Sequence, residues 1–186
     1  MKRIKTISAL ILILSFATSS YAQVQFTRNG KISFFSTTPV EDIKAENNEV
    51  VSFLDPQKGE MRFQVLIKGF VFPKATMQEH FNGKDYMNSD QFPQAKFTGN
   101  ITNLKDVNFA KDGSYKVTVK GSLTMHGVTK PVEAYGTITI AGGLASAKAV
   151  FRVNREDYGI TVPSFASSKI AKDIEITVDC KYGKYK

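Results

Sequence analysis

From position 23 onwards, apolar and polar residues alternate in short runs that turn residues separate. Successive side chains of a β-strand point to opposite faces, so this period of two predicts half-buried strands rather than helices. The residues that fall together on one face of such runs are Met61, Phe63, Val65 and Ile67; Val117, Val119, Leu123 and Met125; Val132, Ala134, Ile138 and Ile140; Phe151 and Val153; and Ile174, Ile176, Val178 and Cys180. Many short strands punctuated by Gly and Pro predict an antiparallel sandwich or barrel.

Turn residues set the expected strand limits. Residues 55–59, Asp-Pro-Gln-Lys-Gly, predict a hairpin between one run at 49–54 and a longer run at 61–72. The Gly-rich stretch 141–147 is expected to be a short linker between two strands. Further strands are expected at 32–37 and 95–101.

One segment, 73–86, breaks the alternation and contains good helix formers. Met77 and Phe81 stand four positions apart, which places them on one face of a helix. Asn82 and Gly83 follow, and Gly commonly ends a helix. The segment therefore predicts one short helix near 76–81.

The first 22 residues have the pattern of a cleavable export signal. Three basic residues within 2–5 precede an apolar stretch at 6–16, and residues 20–22, Ser-Tyr-Ala, put small residues at the two positions that a signal peptidase reads. The apolar stretch is shorter than the roughly 20 residues of a membrane-spanning helix. We expect 1–22 to be removed and 23–186 to form one domain in the periplasm or outside the cell.

The distribution of charge bears on the kind of partner that the chain can bind, and the single cysteine bears on its internal structure. The chain carries a formal net charge of +8, and removal of the three basic residues of the signal leaves +5. The basic residues are scattered rather than gathered in a block that tracks phosphates, which argues against a nucleic-acid partner. Cys180 is the single cysteine and alternates with apolar residues, so we expect a buried structural thiol.

Candidate catalytic chemistry is sparse. The two histidines are His80 and His126, and no motif of a metalloprotease, thiol oxidoreductase or serine hydrolase occurs. A hydrogen-bonded structural histidine is the simpler interpretation at both positions. We therefore predict no catalytic residue, no metal site and no cofactor.

Three stretches together resemble the YceI family of exported, lipocalin-like proteins. They are MQEHFNGKDYMNSDQFPQAKFTG at 77–99, GSLTMHGVTKPV at 121–132 and FRVNREDYGI at 151–160. Their order and spacing match the family. The stretch IKGFVFPKAT, before the predicted helix, departs from the commoner family pattern.

The resemblance implies an all-β fold, an eight-stranded antiparallel lipocalin-like barrel with a short helix. It also implies an apolar cavity for a polyisoprenoid or similar fatty-chain lipid. Phenylalanines gather around the matching stretches, and from the residues alone a packed core is the simpler explanation; the resemblance favours a pocket. The expected ligand-binding residues are Phe81, Phe92, Phe97, Leu123, Phe151 and Arg155.

Two of these expectations depend on local detail. Small Gly99 and Gly121 lie between larger residues and are expected to leave room inside the barrel. Arg155 has two interpretations: it meets a polar head group at the barrel mouth, or it forms an ion pair with Glu156, Asp157 or a carboxylate across the barrel.

The function therefore has three hypotheses. The first is an exported protein that binds a long-chain lipid for transport, storage or sequestration. The alternatives are a small outer-membrane β-barrel, which would carry an outward apolar band, and an enzyme that acts on a bound lipid. A homodimer and a transient contact with a membrane surface both stay open.

The signal peptide gives a direct prediction. Protein recovered from the periplasm of a Gram-negative host is expected to begin at Gln23, because signal peptidase reads the small residues before it. N-terminal sequencing or intact mass measurement checks this. A mature chain that retains 1–22 would contradict it.

Overall fold

The computed structural model describes residues 23–185, so the expected signal peptide lies outside the described residues. Each long strand pairs antiparallel with the next, and the first strand also pairs with the eighth, which closes an eight-stranded barrel. The elements are β1 (Gln25–Thr37), β2 (Asp42–Asp55), β3 (Glu60–Leu66), α1 (Ala75–Asn82), β4 (Gln94–Ile101), β5 (Gly113–Met125), β6 (Val128–Ala141), β7 (Leu144–Asn154), β8 (Asp173–Lys181) and the short β9 (Gly183–Lys184). The predicted barrel is confirmed.

Strand β1 closes the barrel with different partners along its length. Its residues 31–35 pair with 175–179 of β8, whereas Gln25 and Phe26 pair with β9. Register shifts on either side of Gly30 interrupt its ladder with β2. Such irregularities bend a strand, which lets one strand reach two neighbours around the barrel.

The two ends of the barrel differ. We call the end that carries the turns 56–59 and 142–143 the base, and the end that carries α1 and the loops 38–41 and 155–172 the mouth. The base is packed: the side chains of Val50, Leu54, Ile140 and Cys180 are at most 2% exposed. The hydroxyls of Ser52 and Tyr182, buried at the same end, lie 2.9 Å apart.

Helix α1 confirms the predicted short helix. It spans Ala75–Asn82, and the N–H of Gly83 donates to the carbonyl of His80 at its end. Within residues 23–185, no helix has the length and apolar character needed to cross a membrane.

The expected strand at 61–72 is wrong in its second half. β3 ends at Leu66, and Ile67–Gly69 form a 3-10 helix. The cause is Asn47 of β2, which is fully buried and donates from Nδ2 to the carbonyl of Leu66 at 2.9 Å. Its amide lies so close to Gly69 that a Cβ there would stand 2.7 Å from Nδ2. The chain therefore leaves the ladder at this point.

The expected linker at 141–147 is also wrong. Only Gly142 and Gly143 form the turn, with φ values of 57° and 76°, and β7 begins at Leu144. Two glycines at positive φ make a two-residue hairpin turn, so no longer linker is needed.

Strand β1 begins seven residues before the predicted run at 32–37. Its first residue, Gln25, is polar but buried, so the alternation of polar and apolar residues does not reveal the strand there. The Gln25 amide donates to the carbonyl of Gly143 at 3.0 Å and accepts from the N–H of Ala145 at 2.7 Å. A buried polar side chain is tolerated because both of its ends are paired.

The buried thiol gives a prediction. Burial, with the nearby Asp179 charge, raises the pKa of Cys180 from 9.0 to about 12. Because the folded value is the higher one, the thiol's contribution to stability is complete below pH 9 and is lost as the pH rises towards 12. We expect Cys180 to resist an aromatic disulfide reagent at pH 8 in folded protein and to react fully in denaturant. Rapid reaction of the folded protein would contradict this.

Candidate ligand-binding cavity

The upper half of the barrel is hollow. A cavity of about 570 Å³ lies between the packed base and the mouth and opens at the mouth. An eight-stranded barrel has an interior that side chains can just fill or that holds one small ligand. In this chain side chains fill the base of the barrel, whereas the upper half has room for a ligand.

The deep wall of the cavity is apolar. It comes from the inner faces of the strands, as the alternation predicts, because every second side chain points inward. The deep lining includes Ile32, Met61, Val117, Val119, Ile138, Ala147 and Val178.

Four phenylalanine rings pack under α1. The ring of Phe81, on the inner face of the helix, lies 5.0 Å from that of Phe72 and 5.4 Å from that of Phe34, between ring centroids. Phe70 joins them, 5.3 Å from Phe34. Aromatic pairs at these separations are attractive beyond their area. The cluster holds the helix over one side of the cavity.

Polar groups gather at the mouth. The polar lining residues near the opening are Ser36, Glu41, Lys74, Thr76, His80, Tyr86, Arg155 and Lys169. Phe165, on the loop between β7 and β8, also lines the opening and is 79% exposed. An apolar interior with a polar rim suits an amphiphile whose chain points inward.

Arg155 organises the loop 155–172. Its Nη1 donates to the carbonyl of Ile160 at 2.8 Å, and its Nε donates to the carbonyl of Ala171 at 3.2 Å. Its Nη2 lies 3.5 Å from Oε1 of Glu156, whose other carboxylate oxygen pairs with Lys172 at 3.2 Å. Arg155 therefore has structural partners within the protein, and its side chain also lines the cavity.

Five of the six expected ligand-binding residues line the cavity: Phe81, Phe97, Leu123, Phe151 and Arg155. The sixth, Phe92, lies elsewhere. Its ring packs against His126, with centroids 4.4 Å apart, and against Gly127 in the turn between β5 and β6. Whether any of the six contacts a ligand stays a prediction.

The room expected beside Gly99 and Gly121 is occupied. The two glycines are Cα partners across β4 and β5, and a Cβ on either would stand 2.6 Å from Cζ of Phe97. The ring of Phe97 therefore lies over the pair. The glycines seat this ring, and the open volume lies beyond it.

Several lining residues were missing from the expected site, above all Phe34, Phe70 and Phe72. The sequence could have identified Phe34, because it lies on the same strand face as Ile32 and Ser36, which also line the cavity. Phe70 and Phe72 were assigned to a strand that the buried Asn47 ends early, so their turn towards the interior was hidden.

The two histidines have different surroundings. His126, at φ 51° in a tight turn, has Nδ1 3.1 Å from the carbonyl oxygen of Tyr158, which links the turn to the loop 155–172. His80 lies on α1 with its ring stacked near that of Tyr86. Within the described residues, no three His, Cys, Asp or Glu side chains gather as a metal site.

Solved structures share this architecture. A polyisoprenoid binding domain from Saccharophagus degradans, implicated in plant cell wall breakdown, superposes with a TM-score of 0.74 at 11% identity, over 87% of this chain and 98% of that one. Burkholderia cenocepacia BcnA superposes with a TM-score of 0.68 at 18% identity, over 83% and 96%. At these identities the likeness concerns the fold.

Sequence relatives point the same way. A UPF0312 protein of Pseudomonas fluorescens is 29% identical over 78% of this chain and 65% of its own length, and one of Pseudomonas putida is 32% identical over 55% and 53%. The chain thus spans between half and two thirds of these curated relatives. The family model described as YceI-like domain matches residues 15–182. This chain belongs to the YceI family.

Proposed function

We propose that this chain is an exported lipid-binding protein that holds a polyisoprenoid or similar long-chain amphiphile, for transport, storage or sequestration. The observation that carries the proposal is the apolar cavity of about 570 Å³, closed at the base and open at a polar mouth. Its volume lies within the range of roughly 300–1,000 Å³ that small-molecule sites occupy. The export pattern at 1–22 supports the compartment.

The cavity can bind such a ligand by burial alone. Each methylene removed from water contributes about 0.8 kcal/mol, so a fifteen-carbon chain gains on the order of 12 kcal/mol. Loss of free motion on association costs roughly 4–15 kcal/mol. Long chains are therefore favoured over short ones, as the depth of the apolar wall also suggests.

The charges at the mouth favour one orientation. Lys74 and Lys169 line the opening together with the single carboxylate of Glu41. A charged or polar head group is costly to bury in an apolar cavity, whereas at the mouth it meets water and these side chains. The ligand would therefore bind with its chain inward and its head group at the mouth.

The outer faces of the strands support a lipid inside the barrel rather than around it. On β5 the outward residues include Lys116, Thr118, Lys120 and Ser122, and Lys120 forms an ion pair with Glu133 of β6 at 3.0 Å. A barrel that spans a membrane presents an apolar band to lipid instead.

The proposed role is binding without chemistry. Two of the polar groups near the mouth have structural partners: Arg155 donates to two backbone carbonyls, and Nδ1 of His126 lies 3.1 Å from the carbonyl oxygen of Tyr158. The name of the Saccharophagus degradans neighbour, a polyisoprenoid binding domain, is consistent with a binding role.

Native mass spectrometry tests the proposal. Protein purified from the periplasm without detergent is expected to carry an added mass that organic extraction removes and that fragments as a long-chain amphiphile. Delipidated protein is then expected to take up a fluorescent polyene fatty acid. Ligand-free protein that also binds no such probe would contradict the proposal.

A pair of tryptophan variants tests the site. Leu123 lines the cavity, so in Leu123→Trp the added bulk should occupy ligand space and lower the lipid content, with thermal stability close to that of wild type. Leu54 lies in the packed base, so Leu54→Trp should lose about 1–3 kcal/mol through overpacking. Thermal unfolding and lipid content are measured together. Normal lipid content with a large loss of stability in Leu123→Trp would contradict a cavity at that position.

A further inference from the structure

The wall of the barrel is interrupted between β6 and β7. The two strands pair over 135–141 and 144–150, and the ladder ends at the pair Tyr135 and Val150. In the part of the chain that the structure describes, 128–134 of β6 then pairs with β5 alone, and 151–154 of β7 pairs with β8 alone. We call the interval between 128–134 and 151–154 the seam.

The sequence of β6 is adapted to an unpaired edge. Pro131 lies in the middle of the seam, as the Cα partner of Ser122 on β5. Proline has no N–H to give to a ladder and is confined to strand edges or bulges. The residue thus matches a stretch of strand that has a neighbour on one side only.

Two charges beside the seam turn away from it. If the β6–β7 register continued, Glu133 would stand opposite Arg152. Instead, Glu133 pairs with Lys120 of β5 at 3.0 Å, and Arg152 pairs with Glu175 of β8 at 3.4 Å. An obvious cross-strand ion pair is therefore absent at the place where it would hold the two strands together.

The seam lies between the cavity and an apolar patch of the outer surface. On the inner side, Val132, Ala134 and Phe151 line the cavity. On the outer side, at the lower end of the seam, Tyr135 is 68% and Val150 is 54% exposed. At the upper end, the contact of His126 with the carbonyl of Tyr158 bridges the two sides.

We infer that the seam is a lateral opening of the cavity, through which the apolar chain of the ligand passes into the barrel. The inference rests on the proposed function. Parting the wall at any paired position breaks ladder hydrogen bonds. The seam has no β6–β7 ladder pair to break, and its two sides are joined at the upper end by the contact of His126 with the carbonyl of Tyr158. A chain that passes here lies beside the exposed side chains of Tyr135 and Val150 at the lower end of the seam, while its head group stays on the polar side at the mouth.

A cross-link across the seam tests this. In Glu133→Cys/Arg152→Cys, a short bis-maleimide ties β6 to β7 beside the seam. The matched control is Thr139→Cys/Ser146→Cys, at Cα partners within the paired part of the same two strands. Native Cys180 is fully buried and does not compete for the reagent. Intact mass identifies the fully linked protein, and each unlinked double variant is its own reference.

The readout is the uptake rate of a fluorescent polyene fatty acid by delipidated protein in stopped flow. We expect linkage across the seam to slow uptake at least tenfold with the amount bound at equilibrium unchanged, and linkage of the control pair to leave the rate unchanged. Equal rates in the linked and unlinked seam variant would overturn the inference and leave the mouth as the route. A wild-type protein that binds no probe would instead overturn the proposed function, and the inference with it.

Discussion

Pairing of β1 with both β2 and β8 is the constraint on which the molecule depends. A strand with a free edge exposes unpaired N–H and C=O groups, and closure of the sheet removes that edge. Closure also creates an inside, so that alternate side chains of all eight strands face one another. The bends around Gly30 let β1 pair with β8 along 31–35 and with β9 at Gln25 and Phe26. Without this strand the sheet would stay open between β8 and β2.

The closed barrel divides its interior between stability and binding. At the base, Leu54, Ile140 and Cys180 are packed with almost no exposure, and the buried polar groups of Gln25 and Ser52 find partners. The upper half gives up the same close packing, which costs dispersion contacts along its walls. The four phenylalanines under α1 recover part of that loss. The close packing of the base therefore supplies stability that the hollow upper half lacks.

Period-two alternation predicted the inner faces of β5 to β8, and the four-residue spacing of Met77 and Phe81 predicted the helix, because each of these follows from neighbouring residues alone. Three features did not follow. The end of β3 depends on Asn47, nineteen residues before Leu66, and the start of β1 depends on Gln25 meeting residues far along the chain. The packing of Phe92 on His126, outside the cavity lining, depends on the turn between β5 and β6. In each case the deciding partner is distant in sequence, where periodicity carries no information.

Both described ends of the chain lie at the base. The Gln23 amide donates to the carbonyl of Tyr185 at 2.8 Å, and the two-residue β9 pairs with the first residues of β1. The N-terminal side of the domain and its C-terminal side thus leave from the same pole, opposite the mouth. A tether, an affinity tag or a second domain joined at either end would therefore be attached at the base of the barrel, and the mouth would point away from the attachment.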